Sequence, residues 1–277
     1  MVMRGFVREL TAALSEAGVD NARLEAECIM ESAGISRLTL LTEPNMPVES
    51  EISDAAREMV LRRTRGEPLQ YILGEWEFYG YPFKVGEGVL IPRQDTELLT
   101  EIAEGYLKKN GGGLIADLCA GSGCVGISLA RRCDCKVKCY ELSEAAFGYL
   151  ERNIELNEVS GTVEAVRADV LTFTTLESFD AVVANPPYLT KDDMKQLQRE
   201  VAYEPQSALY GGSDGLNFYR EILPRWTGCL KSGGLFAVEI GIGQEKDVVQ
   251  IFAESGMKAE CAKDACGIYR VVYGIKR

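Results

Sequence analysis

The sequence predicts an α/β protein in which a doubly wound, largely parallel sheet follows a small helical domain. Three observations support this fold class. From residue 113 to the end of the 277-residue chain, apolar runs of strand length alternate with helical patterns, which is typical of a parallel sheet. A glycine-rich turn joins the first of these runs to a helix. The first 75 residues instead have helical spacing.

The N-terminal domain is predicted at residues 1–75 as a bundle of short helices. Apolar residues recur at helical spacing from Phe6 onward, and Gly18 follows them as a helix stop. A second helix is expected to end near Gly34 and a third near Gly66. We favour a bundle without chemistry of its own over a second active site.

The pattern changes in the linker predicted at residues 76–92, which read WEFYGYPFKVGEGVLIP. Aromatic and β-branched residues punctuated by glycine and proline favour a β-hairpin over a flexible connection. A second domain is predicted at residues 93–277, and the segment IPRQDTELL, residues 91–99, opens another helix at its start.

Six apolar runs in the second domain are candidate strands: GLIADLC, KVKCYEL, TVEAVRAD, FDAVVANP, GGLFAVEI and GIYRVVYGI. Helices are expected to start near Val125, Glu144, Gly215 and Gln244. The last run is mostly β-branched and ends the chain, so we expect it to be an antiparallel strand at the edge of the sheet.

Composition and charge exclude several classes of protein. The hydrophobic fraction of 46% and the charged fraction of 26% are ordinary for a folded soluble protein, so we expect no membrane association. The net charge of −12 opposes contacts with phosphate, and we expect no direct nucleic-acid binding. The chain has no histidine, which removes imidazole acid–base catalysis, Ser-His triads and histidine metal sites.

The nine cysteines form no C-x-x-C pair. Cys133, Cys135 and Cys139 are closely spaced, but a zinc site there would lack a fourth ligand at suitable spacing. The N-terminal residues also lack the apolar core of a signal peptide. We therefore expect no metal site, reduced thiols and a cytoplasmic protein.

The glycine-rich turn comprises Asp117, Leu118, Cys119, Ala120, Gly121, Ser122 and Gly123. It follows an apolar run and precedes a helix, and together with Gly126 it satisfies G-x-G-x-x-G. Backbone N–H groups in such a turn can approach a nucleotide closely. The spacing alone suits NAD, another nucleotide, or a tight turn without a ligand.

Three acids distinguish among these nucleotides. Glu141 ends the next run, 20 residues after Gly121, where a carboxylate can accept hydrogen bonds from both ribose hydroxyls. Asp169 ends the third run, and Asp117 lies in the turn itself. These acids would repel a pyrophosphate and attract the ammonium and sulfonium of S-adenosyl-L-methionine, which has no phosphate. They favour that cofactor; the alternative is that they cap helices or face solvent.

The motif Asn185-Pro186-Pro187-Tyr188 follows the fourth run. Adjacent prolines supply no N–H donors, so the chain must leave the sheet at its carboxyl edge, where ligands bind in open α/β folds. A rigid surface turn is the alternative reading.

The same motif suits the methylation of a planar nitrogen. An amide or exocyclic amine nitrogen is a poor nucleophile because its lone pair is delocalised. The side-chain oxygen of Asn185 and the carbonyl of Pro186 can accept its two hydrogens, which aims the lone pair at a methyl carbon. Tyr188 is expected to pack against the planar acceptor or in the core.

These segments together resemble the protein-(glutamine-N5) methyltransferase family that modifies peptide chain release factors. The resemblance covers nearly the whole chain and rests on the helical domain and on PLQYILGEWEFYGYPFKV, VLIPRQDTELL, DLCAGSG, NPPY, YEPQSAL and GGSDGL. NPPY alone also occurs in N6-adenine methyltransferases of DNA and RNA. Its combination with IPRQDTE and the helical domain is much more specific.

The resemblance implies a class I S-adenosylmethionine-dependent methyltransferase fold, which is Rossmann-like with a seven-stranded sheet. It implies methyl transfer to the glutamine of the GGQ loop of release factors, with S-adenosyl-L-homocysteine as the product. The helical domain would recognise the substrate, and the enzyme would act as a monomer.

Site residues follow from the same resemblance. The segment from Cys119 to Gly123 would line the methionine part of the cofactor, Glu141 would hold the ribose, and Val170, just after Asp169, would border the adenine. The segment from Asn185 to Tyr188 would hold the glutamine, and Arg93 would lie near the cofactor or the acceptor. All of these residues are named from their positions in the motifs.

The chain departs from the family pattern at three positions. Gln94 replaces the usual Pro, Cys119 replaces the usual Gly, and Glu141 replaces a commoner Asp. Cys119 is expected to leave a backbone-lined pocket intact, and Glu141 keeps the carboxylate. Two other functions stay open, namely a nucleic-acid methyltransferase that shares NPPY and a nucleotide-binding or NAD-dependent module.

Overall fold

The structure is a computed structural model that describes residues 1–277. The chain divides into two compact units. The first comprises Met1–Gly74 together with Gln198–Tyr203, and the second comprises Glu75–Leu197 and Glu204–Arg277. A short segment from the second half of the chain therefore belongs to the N-terminal unit, which nothing in its sequence indicates.

Helices form the first unit around one apolar core. They are α1 (Met3–Glu16), α2 (Ala22–Ser32), α3 (Arg37–Thr42), α4 (Ser50–Thr64) and α5 (Leu69–Leu73). Phe6, Leu10 and Leu14 are buried because they share the face of α1 that packs on α2 and α4. The sequence predicts α1, α2 and α4, whereas α3 and α5 are too short for their periodicity to be read.

A buried guanidinium joins the short segment to the helices of the first unit. Arg63 on α4 is 6% exposed. Its Nε donates to Glu25 at 2.6 Å, and its Nη2 donates to Glu200, within residues 198–203, at 2.9 Å. Burial of a charged group is tolerated when such partners satisfy it.

A seven-stranded sheet is the centre of the second unit, after a separate hairpin of β1 (Glu75–Phe78) and β2 (Tyr81–Lys84). The seven strands are β3 (Gly113–Leu118), β4 (Cys135–Glu141), β5 (Val163–Arg167), β6 (Phe179–Ala184), β7 (Leu230–Glu239), β8 (Ala259–Lys263) and β9 (Tyr269–Ile275). Their order is β5-β4-β3-β6-β7-β9-β8. The first five strands are parallel, and β9 is antiparallel to both of its neighbours.

Five helices accompany the sheet: α6 (Glu97–Asn110), α7 (Cys124–Arg132), α8 (Glu144–Leu156), α9 (Asn217–Cys229) and α10 (Glu245–Glu254). Successive strand residues enter two different apolar clusters. Ile115 and Val183 pack in one cluster, while Ala116 and Val182 pack in the other. Both faces of the sheet are therefore covered, which confirms the predicted doubly wound α/β class.

The end of the chain corrects one expectation. The last strand, β9, is antiparallel as predicted, but it lies between β7 and β8 rather than at the edge. The edge strand is β8, whose sequence AECAK was not recognised because none of its residues is fully buried and none is β-branched or aromatic. None of the helices combines the length and the apolar character that crossing a bilayer requires.

Candidate active site

A cavity of about 420 Å³ opens at the carboxyl edge of the sheet, a size typical of small-molecule sites. The chain order reverses between β3 and β6, and an open α/β sheet forms its ligand crevice at such a point. Most of the predicted site residues line this cavity: Arg93, Asp117, Cys119, Ala120, Gly121, Ser122, Glu141, Asp169, Val170, Asn185 and Pro187. Three of the predicted residues, Gly123, Pro186 and Tyr188, do not.

Polar side chains follow the sheet order along this edge. Asp169 comes just after β5, Glu141 ends β4, and Asp117 lies near the end of β3. Asn185 comes directly after β6, and Glu239 ends β7. Because these five strands are adjacent, polar residues that are far apart in sequence line up along one edge of the sheet. In this line the Asn185 amide lies between carboxylates.

The glycine-rich turn has the left-handed backbone that its glycines predict. Cys119, Gly121 and Gly123 have φ values of 58°, 57° and 82°. Cys119 occupies a left-handed conformation that glycine adopts without strain, so the glycine that the resemblance implies at this position would fit the same turn. The substitution leaves the turn in place, because Cys119 and its neighbours still line the cavity.

Gly123 shapes the turn instead of lining the cavity. It precedes α7, and a Cβ atom there would lie 2.5 Å from Leu150 and 2.8 Å from Ile127. The residue therefore allows the start of α7 to pack closely on the core.

Asp117 is 2% exposed and connects the turn to α7. Its Oδ2 accepts a hydrogen bond from the Gly126 N–H at 2.9 Å and lies 3.8 Å from the Cys139 thiol. Burial raises the pKa of Asp117 to about 7, against the effect of the Gly126 hydrogen bond. The carboxylate thus holds the turn and also borders the cavity, two roles that the sequence could not separate.

This raised pKa predicts a pH-dependent stability. The ordinary pKa of 3.8 rises to about 7 on folding, so the folded protein binds this proton more tightly than the unfolded chain. The contribution of Asp117 to the free energy of unfolding is therefore expected to fall between about pH 4 and pH 7. Urea titrations of wild type and Asp117→Asn should show the variant gaining relative stability across this range. A pH-independent difference would contradict the assignment.

Backbone N–H groups orient the other two acids. Glu141 accepts hydrogen bonds from Gly121 at 2.8 Å and from Ser143 at 2.7 Å, and burial raises its pKa. Asp169 accepts a hydrogen bond from the Leu171 N–H at 2.9 Å. Each carboxylate oxygen can accept more than one hydrogen bond, so both acids retain acceptor capacity toward the cavity.

Arg93 is held at the cavity by a residue that the sequence analysis did not single out. Its guanidinium donates to Glu204, which is 4% exposed and also accepts the Ile91 N–H at 3.0 Å. Glu204 belongs to the segment YEPQSAL, of which Pro205, Ser207 and Ala208 line the cavity. Gln94 begins the short 3-10 turn after Arg93, a position at which proline is also tolerated, so the turn survives this departure.

Asn185 presents a carbonyl oxygen that no protein group uses. Its Nδ2 donates to Thr96 Oγ1 at 3.1 Å, whereas no protein donor binds its Oδ1. The side chain lines the cavity, so the geometry provides a hydrogen-bond acceptor for a ligand there. The NPPY motif likewise predicts that the asparagine offers its side-chain oxygen as a hydrogen-bond acceptor.

Tyr188 packs in the core, which is the second of the two positions expected for it. Its ring packs against the core cluster of β6, β7 and α9, and its hydroxyl donates to Glu239 Oε1 at 3.2 Å. Pro186 is buried in the turn and does not line the cavity. The side chains of these two residues therefore support the turn, and Asn185 and Pro187 are the members of the motif that line the cavity.

Three polar residues near the site were missed: Thr96, Glu204 and Glu239. Glu239 ends an apolar run just as Glu141 does, so the same signal could have found it. Thr96 and Glu204 lie in segments without strand character, and only folding brings them to the cavity edge.

Two family profiles match the chain in succession. The PrmC N-terminal domain matches residues 6–74, and the methyltransferase small domain matches residues 95–212. A release factor glutamine methyltransferase of Geobacter sulfurreducens is 41% identical over 94% of this chain and 92% of its own length. Proteins of the same name from Thermodesulfovibrio yellowstonii and Clostridium botulinum are 39% and 34% identical, covering 91% and 98% of both chains.

Solved structures share this fold over about 70% of the chain, at low sequence identity. A Pyrococcus furiosus methyltransferase aligns with a TM-score of 0.52 at 18% identity, over 72% of this chain and 90% of its own. A T. thermophilus 16S rRNA methyltransferase in complex with AdoMet and guanosine aligns with a TM-score of 0.54 at 21% identity, over 73% and 50%. These likenesses confirm the class I methyltransferase fold.

Proposed function

The chain belongs to the release factor glutamine methyltransferase family, and we propose that it methylates the side-chain nitrogen of the GGQ glutamine of a peptide chain release factor. The relatives support an S-adenosyl-L-methionine-dependent protein methyltransferase. The observation that carries the assignment to this site is the placement of Asn185, which lines a cavity bordered by acids and whose Oδ1 has no protein partner.

The residues of the cavity suit the cofactor. Asp117, Glu141 and Asp169 supply negative charge for a molecule that is cationic and has no phosphate. The backbone of Cys119 to Ser122 would hold the methionine part, Glu141 the ribose, and Val170 would border the adenine. The cofactor, when bound, supplies an electrophilic methyl group on a positively charged sulfur.

The protein acts by binding and orienting the glutamine amide. Asn185 Oδ1 would accept one amide N–H. The main-chain carbonyl of Pro186, whose ring is buried in the turn next to the cavity, would accept the other, which weakens conjugation of the nitrogen lone pair with its carbonyl. When bound, S-adenosyl-L-methionine would supply the methyl group: its methyl carbon–sulfur bond would break as the nitrogen–carbon bond forms, the nitrogen would release one proton to water, and S-adenosyl-L-homocysteine would be the product. Preorganised acceptors and near-attack geometry account for the catalysis without a histidine base.

The substrate is a protein loop and not a nucleic acid. The net charge of −12 opposes phosphate binding, and the RNA methyltransferase likeness, at 21% identity, bears on the fold alone. We assign substrate recognition to the N-terminal helices and propose that a monomer suffices. A release factor substrate also implies action in the cytoplasm, where translation occurs.

Mass spectrometry tests the proposal directly. Purified enzyme, S-adenosyl-L-methionine and an intact release factor should give one added methyl group on the GGQ glutamine. A release factor whose glutamine is replaced should stay unmodified. Methylation at another residue, or of RNA or DNA with the glutamine untouched, would overturn the proposal.

Replacement of Asp117 should weaken cofactor binding. Asp117→Asn keeps an oxygen for the Gly126 N–H but loses the charge, so the affinity for S-adenosyl-L-methionine is expected to fall about tenfold at pH 8, which is about 1.4 kcal/mol. Calorimetry measures the change, with Asp134→Asn, an exposed aspartate before β4, as the matched control. Equal affinities of wild type and Asp117→Asn would remove this charge from cofactor binding.

A further inference from the structure

One buried asparagine on α8 has no part in the chemistry described so far. Asn153 is 0% exposed, and its side chain makes three hydrogen bonds to main-chain groups. Its Oδ1 accepts the Lys84 N–H at 2.6 Å, and its Nδ2 donates to the Lys84 carbonyl at 3.1 Å and to the Ser122 carbonyl at 2.9 Å. Lys84 ends β2, and Ser122 lies in the glycine-rich turn. One side-chain amide therefore joins two segments that are far apart in sequence.

The face of α8 that carries Asn153 also sets the course of the chain after the hairpin. Four residues spaced four positions apart along α8 and its C-terminal cap meet alternate residues of the segment 82–88, and the pairs are Asn157–Pro82, Asn153–Lys84, Tyr149–Gly86 and Ala145–Gly88. Four helical residues rise about 6 Å, and two residues of extended chain span nearly the same length, so the two spacings match. A Cβ atom at Gly88 would lie 2.6 Å from Ala145 Cβ, which shows how closely the segment approaches the helix. Gly88 is also the first residue of this segment that lines the cavity.

The other hydrogen bond of Asn153 fixes one peptide group of the glycine-rich turn. The carbonyl of Ser122 accepts from Asn153, and the Gly123 N–H of the same peptide group donates to the Ala120 carbonyl at 2.8 Å. A peptide group is planar, so bonds at both its oxygen and its N–H prevent it from rotating. Asn153 therefore determines the orientation of this part of the turn.

This orientation matters because the turn has one main-chain donor left for a ligand. The Ala120 N–H donates to the Tyr140 carbonyl at 3.0 Å, and the Gly121 N–H donates to Glu141 at 2.8 Å. The Ser122 N–H has no protein acceptor, and Ser122 lines the cavity. An acceptor group on the methionine part of the cofactor can therefore bind this N–H, provided that the turn keeps its shape.

We propose that Asn153 is a positioning residue for the cofactor, which holds the Ser122 peptide group fixed relative to the cavity wall that begins at Gly88. Since α8 also follows Glu141 closely, one helix orients three parts of the cavity. The inference rests on the proposed function for the identity of the cofactor. The three hydrogen bonds of Asn153 are a property of the protein itself.

Calorimetry with S-adenosyl-L-homocysteine tests the proposal on a matched pair of variants. Asn153→Asp keeps the size of the side chain but turns a carboxylate oxygen toward the Lys84 and Ser122 carbonyls, so the Kd is expected to rise about tenfold. Asn157→Asp is the control, because Asn157 is also buried and its amide donates to two carbonyls, but to none in the turn. Both variants should lose stability, whereas the Kd of the control should change less than twofold. An unchanged Kd in Asn153→Asp, or an equal rise in both variants, would overturn the proposal.

Steady-state kinetics separates positioning of the turn from a merely structural role. Both variants are compared under conditions in which urea titrations show them to be folded, so that lost stability alone leaves the KM for S-adenosyl-L-methionine unchanged. Asn153→Asp should raise this KM about tenfold and lower kcat at saturating cofactor less than threefold, because the turn binds the cofactor before and during the reaction. A lower kcat with an unchanged KM would contradict the inference.

Nuclear magnetic resonance of the wild-type protein gives a readout that needs neither a variant nor turnover. Addition of S-adenosyl-L-homocysteine should shift the side-chain N–H resonances of Asn153 and slow their exchange with solvent, because the ligand orders the turn to which they bond. The side-chain resonances of Asn157 should change much less. Unchanged Asn153 resonances in the saturated protein would overturn the inference, even if Asn153→Asp does not fold. The expected shifts without methylation of the glutamine would overturn the proposed substrate alone.

Discussion

Replacement of Asn185 by alanine is expected to lower kcat about 100-fold or more, with the affinity for S-adenosyl-L-methionine nearly unchanged. The variant loses the oxygen that accepts an amide N–H, and removal of one preorganised polar contact from a transition state costs about 10²–10³ in rate. The backbone carbonyl of Pro186 remains, so the second acceptor is retained. The effect should therefore appear in kcat more than in cofactor binding.

Single-turnover methylation of a release factor measures this change, and calorimetry with S-adenosyl-L-homocysteine measures cofactor affinity. Asn110→Ala is the matched control, because Asn110 is exposed at the end of α6, where its amide bonds only the Tyr106 carbonyl. Unchanged turnover of Asn185→Ala would refute its role in holding the acceptor. If Asn185→Ala lost cofactor affinity and turnover to the same extent, the role of Asn185 would instead be to bind the cofactor.

Replacement of Gly211 by alanine is expected to displace the NPPY turn. A Cβ atom at Gly211 would lie 2.6 Å from the Pro187 carbonyl oxygen and 2.7 Å from Tyr188 Cα. These are backbone atoms, so neither can rotate away as a side chain could. The turn is also tied to this segment by hydrogen bonds from Leu189 to Leu209 and from Gly211 to Leu189, at 2.8 and 2.9 Å.

We expect Gly211→Ala to lose about 1–3 kcal/mol of stability through overpacking. A shift of about 1 Å in the turn would also reduce kcat by about 100-fold, because Asn185 would no longer be aligned with the methyl group. Gly228→Ala is the matched control, since Gly228 lies in α9 with open space around its Cβ position. There the same substitution should be neutral or gain up to about 1 kcal/mol from helix propensity.

Urea unfolding and release factor methylation measured on both glycine variants test this expectation. Equal activity of Gly211→Ala and wild type would show that the close approach to the turn has no bearing on catalysis. A loss of stability with full activity would show that the turn tolerates displacement.

Strands could be predicted from the sequence where they have a regular apolar pattern. The strands β3 and β6 and the second half of β7 are almost continuous apolar runs, because a strand covered on both faces needs apolar residues at nearly every position. The strand β8 is short and partly exposed, so its sequence carries no comparable pattern. Its insertion at the edge moved β9 inward, which depends on pairing between distant segments.

Candidate site residues were readable where they follow a strand. Asp117, Glu141, Asp169 and Asn185 each interrupt or terminate an apolar run, and the carboxyl ends of parallel strands meet at one edge. Glu204 and Thr96 have no such signal, because each is defined by partners more than 80 positions away, Ile91 and Asn185. A sequence pattern reports neighbours along the chain and cannot report these.

The sequence by itself determined the α/β class, the helical N-terminal unit, and the types of groups available: carboxylates, a glycine-rich turn, an asparagine before two prolines, and no histidine. Tertiary structure alone decided the strand order, the membership of residues 198–203 in the first unit, and the burial of Thr96, Glu204 and Glu239. The division has a physical cause. Local patterns reflect burial averaged over one element, whereas the direction of a hydrogen bond and the pKa of a carboxyl depend on atoms brought together only when distant segments pack.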